Sequence, residues 1–264
     1  MNTFILTGTS SDFTTSYTPP LRFDPNKRYE AALLSIDLYY SFPNITSENN
    51  ALKYSTDFGL NWKTITLDTG SYELSAINNE IQRQMISNDD YDKKNNKPYV
   101  SITANISKLK SIVDITNRDY IVDLDTIGPT LGFPLYHGIL AQGYRESVNI
   151  VDIIKINSVL VNIDIISGSY LNGSQSPVLY SFFPNVSPGH KIVERPNPSL
   201  IYYPVNRPNI DSIRVWLTDQ NNNLIDVRGE RVTVRIAIRE VYDLKREIKE
   251  AITQLHSQTL PIKI

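Results

Sequence analysis

Five aspartates, Asp37, Asp114, Asp123, Asp152 and Asp164, fall in or beside stretches that read as strands. Two carboxylates brought together from distant strands can act as acid and base on a glycosidic bond. Trp62 and Trp216 offer rings of the kind on which a sugar stacks. A lone strand aspartate, however, more often faces solvent or ends a strand, and a lone tryptophan more often packs a core or an interface. Neither set names an acid–base pair. The three histidines, His137, His190 and His256, lack the i, i+4 spacing of a helical zinc site. Gly168 and Gly173-Ser174-Gln175 share the first glycine spacing of a phosphate loop but lack its lysine, so the segment reads as a loop. Asp89, Asp90 and Asp92 lie in a polar run without the glycine and glutamate of a calcium loop. With no cysteine in the chain, thiolate nucleophiles, disulfides and Cys-bound zinc are excluded. No catalytic residue, cofactor, metal or small-molecule substrate is expected.

Charge and composition narrow the partners. The formal net charge of −2 announces no field for nucleic acid, and nucleic-acid contact is not expected. A local excess of arginine stands near the end, at Arg207, Arg214, Arg228, Arg231, Arg235 and Arg239. On an alternating strand, Arg231, Arg235 and Arg239 share one face. That face is either solvated, paired with Asp219, Asp226 and Glu230, or turned toward an acidic partner. The first residues lack the basic and apolar regions of a signal peptide, so synthesis inside a cell without secretion is expected. No apolar run reaches the length of a membrane span. Four glycosylation sequons, at Asn44, Asn105, Asn172 and Asn185, are then accidents of an Asn/Ser/Thr-rich chain.

The elements that must carry these residues are mostly strands. Ile213 to Thr218 and Arg231 to Ile238 alternate apolar and polar, which describes strands with one buried face. They are expected to pair, with Val232, Val234, Ile236 and Ile238 facing Ile213, Val215 and Leu217. Upstream, Tyr29 to Tyr40 reads as a long strand with Leu34, Ile36 and Leu38 on one face. Leu52 to Ser55 and Trp62 to Leu67 flank a turn at Asp57-Phe58-Gly59. Leu74, Ile77, Ile81 and Met85 then fall on one helical face, which predicts a helix over about 72–86 with Ser71 as its N-cap. Three short strands follow at Tyr99–Ile106, Leu109–Ile115 and Tyr120–Leu124. The segment from Ser147 to Ile166 has room for two strands or one long bent one.

Residues 1–20 read as an arm: Phe4, Ile5, Leu6, Phe13 and Tyr17 are its only large apolar groups among many Thr and Ser. Residues 241–264 read as an amphipathic helix and tail, with Val241, Leu244, Ile248, Ile252 and Leu255 on one face. The fold expected is all-β: a single jelly-roll β-sandwich over residues 21–240, with one short internal helix and a C-terminal amphipathic helix.

Particular stretches sharpen this. The segment from Tyr29 ends in Ser41-Phe42-Pro43-Asn44-Ile45. Asn61-Trp62-Lys63-Thr64-Ile65-Thr66-Leu67 and Gly70-Ser71-Tyr72-Glu73-Leu74 open onto the helix. Ile213 to Gln220 is followed by Leu224-Ile225-Asp226-Val227-Arg228-Gly229-Glu230. Together these resemble the penton-type minor capsid proteins of Polinton/Maverick elements and of adintovirus-like and virophage-like viruses, over most of residues 20–240. The resemblance implies a structural virion protein without enzymatic activity. Such a protein forms homopentamers at icosahedral vertices, surrounded by a double-jelly-roll major capsid protein. Under that reading Phe4, Ile5, Leu6, Trp216, Arg231, Arg235, Leu244, Ile248, Ile252 and Leu255 are candidate subunit contacts. The alternative is a β-sandwich carbohydrate- or receptor-binding attachment module, which needs an exposed aromatic platform at Trp62 or Trp216.

Overall fold

The computed structural model describes residues 1–135, 138–196 and 199–242. The chain opens with β1 (Asn2–Gly8), β2 (Asp12–Arg22) and β3 (Tyr29–Tyr39). It continues through β4 (Ala51–Ser55), β5 (Lys63–Thr66), helix α1 (Leu74–Ser87), β6 (Tyr91–Asp92) and β7 (Lys97–Pro98). Then come β8 (Val100–Asn105), β9 (Lys110–Ile115), β10 (Ile121–Asp123) and β11 (Gly143–Glu146). The last part holds β12 (Val159–Ile163), β13 (Ser169–Leu171), β14 (Ser174–Ser176), β15 (Val178–Phe182) and β16 (Lys191–Glu194). It closes with β17 (Tyr203–Pro204), β18 (Asn209–Thr218) and β19 (Val232–Glu240).

Eight of these strands make two antiparallel sheets, ordered β1-β19-β3-β16 and β2-β18-β12-β15. Except for the step from β12 to β15, each consecutive strand of the eight changes sheet, which is jelly-roll connectivity. The facing sheets bury one continuous core. Leu6, Leu33, Ile36, Leu38, Val234 and Ile236 come from the first sheet, and Val161, Ile163, Ile213, Val215 and Leu217 from the second.

Three sequence expectations change here. Residues 1–20 are not an arm but supply the first two strands of the sandwich. β1 pairs with β19 from Asn2↔Ile238 to Gly8↔Val232, and β2 pairs with β18. Their Thr and Ser residues occupy mostly outward positions, while Leu6 is fully buried and Phe13, Tyr17 and Leu21 pack on the core. Second, the two legible strands near the end, β18 and β19, do not pair. They belong to opposite sheets and meet face to face, joined by a connection whose Ile225 and Val227 are buried. Alternation tells which face is buried, not which strand is the neighbour. Third, β3 changes phase. Arg235 pairs with Ser35 and Ile236 with Leu33, so Leu34 is the extra residue of a bulge. Ala31 and Leu33 therefore share the inner face with Ile36 and Leu38, and Leu34 does not.

The link from β3 to β12 is an inserted lobe with its own core. Two three-stranded sheets, β10-β4-β5 and β11-β9-β8, enclose Leu52, Tyr54, Ile65, Ile102, Val113 and Val122. Helix α1 buries Ile77, Ile81 and Met85 among them. It begins two residues later than the spacing predicts, with Glu73 rather than Ser71 at the N-cap. The stretch 21–240 thus holds two cores instead of one.

Candidate assembly interface

The sandwich has two unlike flanks. On the first, β1 and β2 are the outer strands of their sheets. Their partly buried rings Phe4 and Tyr17 meet edge to face at 6.0 Å and tie the sheet edges together. Leu6 is fully buried and is a core residue, which removes it from the contact set. Ile5 between them points the other way and is 61% exposed, because strand neighbours face opposite sides. The opposite flank is made by β15 and β16, bridged by the Tyr180 hydroxyl, which donates to Glu194 Oε1 at 2.9 Å. Val193 and Phe183 stand exposed there, Phe183 at 71%. Neither was marked by the sequence, since an isolated apolar residue beside a strand end carries no periodic signal.

The arginines serve mainly as cross-strand braces. Arg235 donates to Asp37 Oδ2 at 2.9 Å and to Ser35 Oγ at 3.0 Å. Arg239 donates to Glu30 at 3.1 Å, and its guanidinium lies 3.4 Å from the centroid of the Tyr202 ring. Arg214 grips Asp12 with two bonds, at 2.8 and 2.5 Å, and lies 4.9 Å from the centroid of the half-buried Trp216 ring. The Arg214 hydrogen bonds hold the Asp12 carboxyl below its ordinary range. Arg207 donates to Asp164 at 2.6 Å and to the Ser212 carbonyl at 3.0 Å. The acids expected as partners do something else. Asp219 accepts the amides of Asn221 and Asn223 at 2.8 Å, and Asp226 accepts the Arg228 amide at 2.7 Å, so both build turns. Arg231 is exposed. Leu244, Ile248, Ile252 and Leu255 lie outside the described residues, as does the expected helix they belong to.

The aspartates that could have made an acid–base pair are dispersed. Asp37 and Asp164 are ion-paired in the sandwich, Asp152 is paired with Lys155, and Asp123 caps the Asp125 amide at 3.0 Å. Asp114 sits in β9 of the inserted lobe. In the polar run, Asp90 accepts from Tyr54 and Lys63, Asp89 pairs with Lys93, and Asp92 shapes a turn with Asn95.

Where the lobe joins the sandwich, Asn44 clamps both crossing chains. Its Nδ2 donates to the carbonyls of Tyr72, at 2.7 Å, and Ile153, at 3.1 Å, while its Oδ1 accepts the Tyr72 amide at 2.8 Å. Beside this clamp lies a cleft of about 770 Å³ lined by Tyr40, Tyr72, Leu74, Ile154, Phe183 and Pro184 among others. The sequence marked Asn44 only as a loop residue and a sequon. Its role depends on contacts at residues 72 and 153, which no local pattern reveals. What this surface can do is pack. It offers an open sheet edge, an apolar notch and exposed apolar side chains on both flanks.

No family model matches the sequence. No curated protein matches it either. Among solved structures, the chain is similar to the mavirus penton protein at 12% identity, over 90% of this chain and 99% of that one, with a TM-score of 0.49. It also aligns with the D2–D3 domains of the flagellar cap protein FliD from Escherichia coli at 13% identity. That alignment covers 91% of this chain and 100% of that one, with a TM-score of 0.14.

Proposed function

We propose that this chain is a capsid vertex subunit that closes into a homopentamer and contacts a double-jelly-roll major capsid protein around it. The observation that carries the reading is the pair of unlike flanks on a jelly-roll sandwich. A ring needs a heterologous contact, in which one surface of each subunit meets a different surface of the next. The β1–β2 flank presents Ile5 and an open strand edge, and the β15–β16 flank presents Val193 and Phe183. Setting one against the other repeats around an axis without using either surface twice. The sequence resemblance over residues 20–240 points to the same role. The segment 241–264, amphipathic in sequence, is then the part that reaches the surrounding shell, and Arg231 and Trp216 are further contact candidates. The product of the molecule is a surface, and no chemistry on a substrate is assigned to it.

Particle mass in solution tests the ring. Five times the chain mass of 30.0 kDa is expected at assembly salt. Truncation after Tyr242 should preserve that particle while weakening its capture by the major capsid protein. A protein that stays monomeric and binds glycans through Trp62 or Trp216 would instead be an attachment module.

A further inference from the structure

The tip of the inserted lobe displays three large apolar side chains on one short loop. Between β4 and β5, Phe58 is 63% exposed, Leu60 83% and Trp62 39%. The hairpin leads away from the clamp at Asn44, because its base is tied there by the Leu67 amide donating to the Asn50 carbonyl at 2.9 Å. Such a loop ordinarily relies on water for its backbone groups. This one does not. The amides of Asp57 and Gly59 donate to Ser55 Oγ at 3.2 and 2.9 Å. The Phe58 amide donates to the Asp119 carbonyl at 3.1 Å and the Leu60 amide to the Asp57 carbonyl at 3.3 Å. The Asn61 amide donates to Asp57 Oδ1 at 2.8 Å, and Asn61 Nδ2 to Asp57 Oδ2 at 2.7 Å. Five consecutive backbone donors are satisfied, four inside the loop and that of Phe58 by the neighbouring loop at Asp119. Phe58 is held left-handed, at φ 59°, a conformation that costs a bulky residue free energy.

We propose that this loop is a membrane-docking tip, which inserts Phe58 and Leu60 into the interfacial zone of a lipid bilayer with Trp62 at the headgroup level. Entering the interfacial zone is costly for unsatisfied backbone groups, and here the amides of residues 57–61 already have protein acceptors. Tryptophan is favoured at the water–lipid boundary, where its ring is buried and its N–H stays wet. A glycan fits the loop poorly, because the Asp57 carboxylate and the amides that would meet sugar hydroxyls are already bonded. The loops at this end, 55–63, 88–99 and 116–120, carry five acidic and five basic side chains, so the tip has no net charge. That suits a zwitterionic headgroup layer, whose own charges also cancel, and does not call for anionic lipid.

Flotation of the full chain with phosphatidylcholine vesicles tests the proposal. The wild-type protein should float, and Trp62 fluorescence should be quenched by brominated phosphatidylcholine. Phe58→Asp with Leu60→Asp should lower the bound fraction roughly ten-fold or more, as expected for losing two buried apolar side chains. Both positions are exposed and Asp tolerates the left-handed conformation at 58, so the urea midpoint should not fall below that of the wild type, and Trp62→Phe should abolish the quenching while Trp216 remains. Absence of flotation at millimolar lipid overturns the proposal, as does equal flotation of the double variant. Capture of a neighbouring copy of this chain by a photo-crosslinker at position 60, without flotation, makes the loop a protein contact instead.

Discussion

Ile5 and Leu6 are neighbours on β1 with opposite surroundings, and substitutions there should separate folding from assembly. Leu6 is fully buried between the sheets, so Leu6→Ala should cost about 2–5 kcal/mol in urea unfolding, from lost transfer energy and the cavity left behind. Ile5→Ser removes an exposed group and should change monomer stability by less than about 0.5 kcal/mol. Under the vertex reading it should nevertheless weaken the ring. Asn44 makes a third test. Asn44→Ala removes the hydrogen bonds to the Tyr72 amide and carbonyl and one of the two donors to the Ile153 carbonyl, which should cost about 2–3 kcal/mol at roughly 1 kcal/mol per bond. A cost below about 0.5 kcal/mol would mean that the clamp adds nothing to the junction. Asp57 sets a pH dependence. The Ser55 hydroxyl, the Asn61 amide and the Asn61 side chain lower its carboxyl from an ordinary 3.8 to about 2. A depressed carboxyl contributes stability that is fully present above its unfolded value and is lost as pH falls through the folded one. Trp62 fluorescence should therefore be flat above pH 3.8 and change as pH falls toward about 2, and Asp57→Asn should remove that transition.

At the scale of elements, the first strand is the sharpest case. Removing residues 1–8 deletes Leu6 from the core and strips β19 of its outer partner along seven paired positions. The truncated chain should fail to give a cooperative unfolding transition, whereas loss of a mere arm would leave it intact. The sequence hid this because β1 and β2 contribute few apolar residues, set among Thr, Ser and Pro that mostly face outward. Much else at this scale was legible. Alternation over 213–218 and 232–238 located two strands and their buried faces, and the spacing of Ile77, Ile81 and Met85 located the helix face. What stayed hidden depends on contacts distant in sequence. Leu34 looks like any strand residue, and only its register against Arg235 and Ile236 makes it a bulge. The two cores are invisible for the same reason, since residues 45–140 and the sandwich use the same strand vocabulary. The interface candidates divide likewise. Exposure of Ile5 follows from alternation, but the bracing of Arg235 by Asp37 requires knowing that β3 lies beside β19.

The whole molecule has a direction. β1 begins and β19 ends at one end of the sandwich, where Asn2 faces Ile238 and Glu240 faces Tyr29. The inserted lobe leaves from the far end of β3, an eleven-residue strand, which puts it about 35 Å away at the usual rise per residue. A ring built through the two flanks therefore displays the lobes together on one side and the chain ends together on the other. That arrangement leaves the apolar tip loops free on the face away from the chain ends. Electron microscopy of the purified protein tests the ring. Class averages should show closed particles with five equal subunits, with contrast from the lobes on one face only. Single 30.0 kDa particles at every salt concentration, or two-fold dimers that pair like flanks, would contradict it.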